Sequence, residues 1–226
     1  WLHEVVFEEE REYVQHIKRR RLDVVCVSDW HVEESCAFYG DNYPIQRIYN
    51  PVPDAYFEHG PAEKYDPHKL IWLSSPHKGL DLALDLFAKL RQASGLPFQF
   101  HVYNPGYIPI PGLDEPGVVY HGTTPFDRVM VEIKDALCVF HPSLWYETFC
   151  FVAAEANCLG IPVAGYARAA LTETAQNGAY LKEPGDEAGI VANVLDWSKK
   201  GRPRVTGNSA FKLSTVLPQW KALLKL

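Results

Sequence analysis

Residues 137–163 read LCVF HPSLWYE TFCFVAAEANC LG IPV, and this stretch decides the fold. Two apolar runs, at residues 137–140 and 161–163, enclose a segment from about residue 148 to 158 whose pattern favours a helix. A strand, a helix and a second strand in this order predict two parallel strands, because a parallel connection has to travel back along the sheet.

The same alternation extends outward from this stretch in both directions. Further apolar runs lie at residues 70–73, 98–103, 118–120 and 179–181, and helical patterns lie at 80–91, 126–135, 171–175 and 187–198. The alternation predicts an α/β fold with a doubly wound, Rossmann-like parallel sheet. Ligands of such sheets bind beyond the carboxyl ends of the strands, so we expect function in the loops that follow the apolar runs.

The chain before residue 50 is organised differently. A polar helix at 11–20, an apolar run at 23–28 and a helix at 32–39 form one α-β-α step, and a proline-punctuated stretch without periodicity follows. We place a domain boundary near Asn50. Residues 1–49 are then the end of one unit, 50–212 the main domain and 213–226 a C-terminal amphipathic helix. The absence of an initiator Met and an opening already inside an element favour a fragment of a longer protein.

Composition excludes several classes of protein. Apolar residues make up 47% and charged residues 22% of the chain, which is ordinary for a globular protein, and the net charge of −6 argues against nucleic-acid binding. No apolar stretch is long enough for a transmembrane segment. The five cysteines are odd in number and lack the close paired spacing of a zinc site or the density of a disulfide scaffold, which favours a reducing compartment. We expect a cytoplasmic protein. The basic run at residues 18–21 is either a solvated helix end or a peripheral membrane contact.

Two glutamates bracket the start of the helix predicted in the central stretch. Glu147 and Glu155 are eight residues apart, or about 12 Å at helical rise, comparable with the distance from a sugar ring across a diphosphate to a ribose. The N–H groups of Thr148, Phe149 and Cys150 would be unpaired at this helix N-terminus and would favour an anion such as a nucleoside diphosphate. The simpler alternative is that the first Glu complements the helix dipole and the second is solvated.

A second loop, residues 73–81 with the sequence LSSPHKGLD, agrees with this interpretation. Lys78 lies at the start of the helix predicted from residue 80, where a cation is unfavourable unless an anion joins it. A diphosphate is such an anion, with the hydroxyls of Ser74 and Ser75 as auxiliary donors and Gly79 beside them. The alternative is an exposed first-turn lysine.

The spacing of Glu147 and Glu155 resembles the Glu-x7-Glu motif of the retaining family-4 glycosyltransferases, which have the two-domain GT-B fold. An upstream Pro-Ser at residues 142–143 and a downstream Gly-Ile-Pro-Val at 160–163 add to the resemblance, which covers roughly residues 22–183. It implies the C-terminal, donor-binding half of a GT-B enzyme together with the end of an N-terminal domain that is otherwise missing. The implied reaction moves a sugar from a nucleoside diphosphate sugar to a glycan or glycolipid acceptor, with retention and without a metal or other cofactor.

The resemblance also implies roles for individual residues. In the family the first Glu of the motif lies at the donor sugar and the second holds the ribose hydroxyls, which implies these roles for Glu147 and Glu155. The family carries a Lys-Gly or Arg-Gly after the first strand of this half, which implies Lys78 at the diphosphate. Glu147 and Lys78 are therefore the predicted catalytic residues. Cys150 stands where the family has a glycine, and we interpret it as a small buried hydrophobe.

Two strand ends complete the predicted site. Tyr103 ends one apolar run, and His121 with Gly122 ends the run that in the family lies next to the nucleobase; His121 either stacks on a ligand or is structural. The predicted donor-binding residues are Ser74, Ser75, Lys78, Gly79, Tyr103, His121, Gly122, Thr148, Phe149, Cys150, Phe151 and Glu155.

Two other functions remain open. The first is another GT-B enzyme, such as a nucleotide-sugar epimerase or a glycogen-synthase-like polymerase. The second is a non-catalytic subunit that uses the fold as a binding module, because a fold does not determine a function. The donor loops contain no Asp-x-Asp metal site, which agrees with a reaction that needs no metal.

Overall fold

A computed structural model describes residues 11–103, 110–176 and 180–226. The first part of the chain forms a small parallel sheet with helices against it. Its elements are α1 (Arg11–Arg20), β1 (Val24–Cys26), α2 (Asp29–Tyr39) and β2 (Ile45–Arg47), and α3 (Ala55–His59) follows in the chain. Strands β1 and β2 pair only with each other, so this sheet is separate from the main one.

The main unit alternates strands and helices as the sequence predicts. Its elements are β3 (Lys69–Trp72), α4 (Leu80–Ser94), β4 (Gln99–Tyr103), β5 (Val118–Gly122), α5 (Phe126–Asp135), β6 (Cys138–His141), α6 (Phe151–Cys158), β7 (Val163–Gly165), α7 (Leu171–Thr174), α8 (Glu187–Lys200) and α9 (Leu213–Leu224). No helix within the described ranges is long and apolar enough to cross a bilayer.

The five strands of the main sheet are all parallel and lie in the order β5-β4-β3-β6-β7. The chain starts at the central β3, moves to one edge, and then returns to β6 on the other side of β3. The strand order therefore reverses between β3 and β6, and in open α/β sheets the ligand-binding crevice lies beyond the carboxyl ends of the strands at such a reversal. The prediction of a doubly wound α/β fold is confirmed.

Apolar side chains cover both faces of the sheet. On one face Phe87 of α4 and Ile190 of α8 pack with Phe100 and Phe140 of the strands. On the other face Ala153 of α6 lies in a second cluster with residues from the first part of the chain. Burial of both faces explains why β3 and β6 are almost continuous apolar runs.

Three local predictions are wrong. Helix α6 begins at Phe151 and not near Thr148, because Cys150 has a left-handed backbone (φ 57°) that interrupts the helical run. The last strand of the sheet starts at Val163, since Pro162 has no N–H to donate to a ladder.

The third concerns the apolar run at 179–181, where no strand forms in the described residues. There the chain makes a single bridge between Tyr166 and Lys182. Ala179 itself lies outside the described residues, as do Asn104, Pro105 and Gly106 after β4.

Candidate functional site

The two predicted catalytic residues meet at the point where the strand order reverses. The Lys78 ammonium lies 2.7 and 2.9 Å from the two carboxylate oxygens of Glu147. The side chains are 27% and 11% exposed, so the ion pair is accessible from one side only. Lys78 comes from the loop after β3 and Glu147 from the loop after β6, and the adjacency of these strands brings them together.

Lys78 has the carboxylate of Glu147 as its partner, so a protein group already provides the anion expected beside this lysine. It ends a short 3-10 turn, Pro76–Lys78, and Gly79 separates it from the first residue of α4. The unfavourable position of a cation at a helix start thus does not by itself require a ligand, because Glu147 already supplies negative charge.

Glycine at position 79 has a conformational reason. Its φ of +105° lies in the left-handed region that side chains rarely adopt, and a Cβ there would lie 3.8 Å from the Ser143 Cα. That distance is an ordinary van der Waals contact, so glycine is favoured here by the backbone conformation and not by lack of space.

Ser143 joins the two loops, although the sequence argument treated it only as part of a flanking motif. Its buried hydroxyl donates to the Lys78 carbonyl (2.6 Å) and accepts from the Trp145 N–H (3.1 Å). The Glu147 N–H donates to the Trp145 carbonyl (3.1 Å), and the Glu147 carbonyl accepts from the Ala170 N–H (3.1 Å). These bonds hold the backbone of both charged residues, so the Pro-Ser motif is the signal that could have identified Ser143.

The N–H groups that could bind an anion differ from the predicted ones, because the helix starts later in the chain. Because α6 begins at Phe151, the N–H groups available at its start are those of Phe151 and Val152 and not those of Thr148 and Phe149. The next two N–H groups are already used, since Ala153 donates to the Cys150 side chain and Ala154 to the Cys150 carbonyl (3.2 Å). The separation inferred from helical rise between Glu147 and Glu155 also no longer applies, since the chain is helical over only the second half of that span. Phe149 is buried in the core, whereas Phe151 is 43% exposed.

His141 and Cys150 lie beneath the ion pair. The His141 Nε2 is 3.8 Å from the Cys150 Sγ, and the imidazole packs against the indole of Trp72. Burial, with a further contribution from the Lys78 charge, lowers the pKa of His141 to about 3, so this ring is neutral near pH 7. Burial, followed by the Glu147 carboxylate, raises the pKa of the Cys150 thiol. A protonated, enclosed thiol agrees with our interpretation of Cys150 as a small hydrophobe.

The donor atoms of His141, Glu147 and Cys150 all lie within 4.8 Å of one another, which is a spacing that a metal ion can use. The ammonium of Lys78 already contacts both oxygens of Glu147 and would repel a second cation at that carboxylate. The expectation that no metal is needed stays a prediction.

Glu155 is the fifth residue of α6 and is partly buried. Burial raises its pKa to about 7, with no other cause contributing. Within the described ranges no group hydrogen-bonds to its carboxylate. Such a carboxylate can accept hydrogen bonds from hydroxyl groups of a ligand.

The two serines after β3 serve the local backbone. Ser74 is buried and its carbonyl accepts from the Trp72 indole N–H (2.6 Å). The Ser75 carbonyl accepts from the Lys78 N–H (3.1 Å). Their backbone therefore shapes the turn that presents Lys78, and hydroxyl contacts to a ligand stay a prediction.

The predicted nucleobase edge contains a stack of rings. His121 lies parallel to Tyr103, with centroids 4.2 Å apart, and its Nε2 is 3.0 Å from the His101 Nδ1. Tyr103 is only 5% exposed, so it supports the stack from below and offers little surface to a ligand. The register between β4 and β5 shifts here, and Gly122 rather than His121 pairs with Tyr103. These contacts give His121 a structural role, while stacking on a base stays untested.

Two further residues near the site were not predicted. The Glu173 carboxylate accepts from the Tyr49 hydroxyl (2.6 Å) and the Asp29 N–H (2.9 Å), and so attaches the first turn of α2 to the main unit. The Arg168 guanidinium lies 4.0 Å from the centroid of the ring of Tyr146, the residue that precedes Glu147. No motif marks either residue, because each depends on partners that are distant in the chain or in a different loop.

Comparison with known proteins agrees with the fold. In the solved structure of S. aureus TarM in complex with Fondaparinux, alpha-GlcNAc-glycerol and UDP, the similar region has a TM-score of 0.76 and 17% identity, over 99% of this chain and 49% of that one. Anabaena HepE in complex with UDP and glucose has a TM-score of 0.76 and 16% identity, over 99% of this chain and 70% of that one. Sucrose-phosphate synthase from Thermosynechococcus elongatus has a TM-score of 0.73 and 16% identity, over 99% of this chain and 66% of that one.

These likenesses show a shared GT-B fold, and the chain spans about half the length of TarM. No curated protein sequence matches the chain. The profile of the family described as glycosyl transferases group 1 matches residues 68–200, which is more than half of the chain and contains both loops of the ion pair. The chain therefore belongs to the group 1 glycosyl transferases.

Proposed function

We propose that this chain is the donor-binding half of a glycosyltransferase that moves a sugar from a nucleoside diphosphate sugar to an acceptor, with retention of configuration. The observation that carries the proposal is the Lys78–Glu147 pair, which lies at the strand-order reversal of a parallel sheet and beside the first turn of α6. Crevices at such reversals are where open α/β sheets bind ligands. The UDP found with the structural relatives supports a nucleotide as the ligand.

The diphosphate would bind between Lys78 and the first turn of α6. An ammonium has three N–H donors, so Lys78 can keep a hydrogen bond to Glu147 while it donates to a phosphate oxygen. The N–H groups of Phe151 and Val152 and the positive end of the helix dipole add attraction for the anion. When the bond between the sugar and the diphosphate breaks, the electron pair goes to the leaving phosphate, and these fixed donors stabilise the charge that develops there.

Glu147 would orient the sugar and Glu155 the ribose. Glu147 is fixed through its backbone and through Lys78, so one face of its carboxylate is held against the crevice. Glu155 has no protein donor among the described residues and is half-protonated near pH 7, so ribose hydroxyls would give its carboxylate the hydrogen bonds it lacks. The acceptor hydroxyl would form the new bond to the anomeric carbon and pass its proton to the leaving diphosphate, which gains negative charge as the old bond breaks. We propose a glycan or glycolipid as the acceptor and no metal in the reaction.

The test combines binding with transfer. Nucleoside diphosphates are titrated into the chain and into variants Glu155→Gln and Glu147→Gln, with the exposed Glu183→Gln as a matched control. We expect Glu155→Gln to weaken nucleotide binding, and Glu147→Gln to spare it but to slow transfer in the full-length protein. The anomeric configuration of the product, determined by NMR, tests retention. Equal effects of both substitutions on free nucleotide would contradict the assigned roles, and an epimerised donor without transfer would favour the epimerase alternative.

A further inference from the structure

Arg168 places a guanidinium beside the crevice, and the described residues supply no counter-ion for it. In the described part of the chain no carboxylate lies within ion-pair distance of it, and its buried Nε has no hydrogen-bond partner. The guanidinium lies over the ring of Tyr146, with the guanidinium carbon 4.0 Å from the ring centroid. A buried donor without an acceptor is rare in native proteins and calls for an explanation.

The backbone around Arg168 is fixed rather than loose. The Arg168 carbonyl accepts from the Leu171 N–H (3.1 Å), and the preceding Ala167 N–H donates to the Lys182 carbonyl (2.7 Å). Ala169 has a φ of 51°, which is unfavourable for a residue with a side chain. Strain of this kind persists where the surroundings enforce it and is concentrated at functional sites.

The same loop is connected directly to the proposed donor site. It follows β7, which is paired with β6, and the Ala170 N–H donates to the carbonyl of Glu147 (3.1 Å). Tyr146 contacts Arg168 and is also stacked with Trp30 from the first part of the chain (centroids 6.1 Å apart). Arg168 is therefore held at the edge of the crevice, between the two units.

The charges at the crevice leave a need for a further cation. Lys78 and Glu147 neutralise each other, and Glu155 adds negative charge as it ionises near pH 7. A nucleoside diphosphate brings several more negative charges, which these three residues do not balance. Arginine suits this task because its planar fork binds two phosphate oxygens at once and keeps its charge at any physiological pH.

We propose that Arg168 binds a phosphoryl group in the crevice. The inference rests on the proposed function. The phosphoryl group belongs either to the donor diphosphate or to a phosphorylated acceptor, which share the same chemistry at a guanidinium.

The test measures binding by calorimetry with the 226-residue chain. UDP, GDP and ADP are titrated first, and the tightest binder is then compared with its nucleoside in wild type, Arg168→Gln and Arg168→Lys. Arg204→Gln is the matched control, since this arginine is exposed in the segment between α8 and α9. A second arm titrates glycerol 1-phosphate, and glycerol as its control, at saturating nucleoside diphosphate.

If the donor is the ligand, Arg168→Gln weakens the nucleoside diphosphate about tenfold to a hundredfold and leaves the nucleoside unchanged. If a phosphorylated acceptor is the ligand, only the binding of glycerol 1-phosphate is lost. Arg168→Lys recovers part of the affinity in either case, which a purely structural role would not produce. If Arg168→Gln binds both the nucleoside diphosphate and glycerol 1-phosphate as tightly as wild type, the inference about Arg168 is overturned and the proposed function is unaffected. A wild-type chain that binds no nucleoside diphosphate would overturn the proposed function, and the inference with it.

Discussion

The pKa of Glu155 makes nucleotide affinity depend on pH in a calculable way. Burial raises this pKa to about 7, and ribose hydroxyls would donate to the ionised form. The apparent Kd then scales with 1 + 10^(pKa − pH), which is about 1.1 at pH 8 and about 11 at pH 6. We therefore expect nucleoside diphosphate binding to weaken about tenfold between pH 8 and pH 6 because of Glu155 alone.

Calorimetry at constant ionic strength in wild type and Glu155→Gln measures this effect. The phosphate groups of the nucleotide also titrate near pH 6, but they do so equally for both proteins, so the ratio of the two affinities isolates Glu155. The ratio should change about tenfold over the two pH units. An unchanged ratio would refute the assignment of Glu155 to the ribose.

The same shift has a consequence for stability, with the sign fixed by linkage. The folded-state pKa lies above the ordinary value of 4.5, so the folded protein holds this proton more tightly, and the associated stability is present at low pH and lost as the pH rises through 7. Glu155→Gln should match wild type at pH 4.5 in urea unfolding and exceed it by about 1 to 3 kcal/mol at pH 8. A variant equal to wild type at both pH values would show that the carboxylate is not buried as described.

Three other sets of substitutions test the packing of the site. Lys78→Ala leaves the Glu147 carboxylate without its partner and should lower the free energy of unfolding in urea by about 1 to 3 kcal/mol. The double variant Lys78→Ala/Glu147→Gln should recover most of this loss, whereas additive effects of the two substitutions would contradict the ion pair. Cys150→Gly should be about 1 kcal/mol more stable than Cys150→Ala, because glycine tolerates the φ of 57°; the reverse order would show that this backbone is not left-handed. Glu173→Ala should speed amide exchange in the first turn of α2, with Tyr49→Phe adding little to it; an unaffected turn would mean that Glu173 does not hold it.

The arrangement of the sheet follows from information that is local in the chain. Apolar runs separated by helical patterns predict parallel strands, and the loops that follow the runs at 70–73 and 137–140 carry Lys78 and Glu147. Each residue was identified from its own loop. That they touch is a consequence of strand order, because β6 inserts beside β3, and no pattern within either loop contains this information.

The start of α6 shows where local reasoning fails. Thr148 and Phe149 have no feature that prevents a helix, but Phe149 is buried against the rings of Tyr49 and Phe211. That packing fixes the chain before Cys150, which then adopts a left-handed conformation and delays the helix. Tertiary contact thus overrides local propensity at this point.

Glu173 was missed for a related reason. The carboxylate meets an N–H of Asp29, which is 144 residues earlier in the chain. A single glutamate in a polar segment is ordinary, and its partner is a backbone group that every residue possesses. Only the packing of the two units identifies it.

Binding of a nucleoside diphosphate to this chain tests the central claim most directly. Thermal and urea unfolding are followed with UDP, GDP, ADP and the corresponding nucleosides. A diphosphate that binds at the Lys78–Glu147 crevice should stabilise the fold by roughly 2.7 kcal/mol at a hundred times its Kd, and Glu155→Gln should reduce this gain. The absence of any stabilisation by all three diphosphates would contradict the claim that this crevice is a donor site.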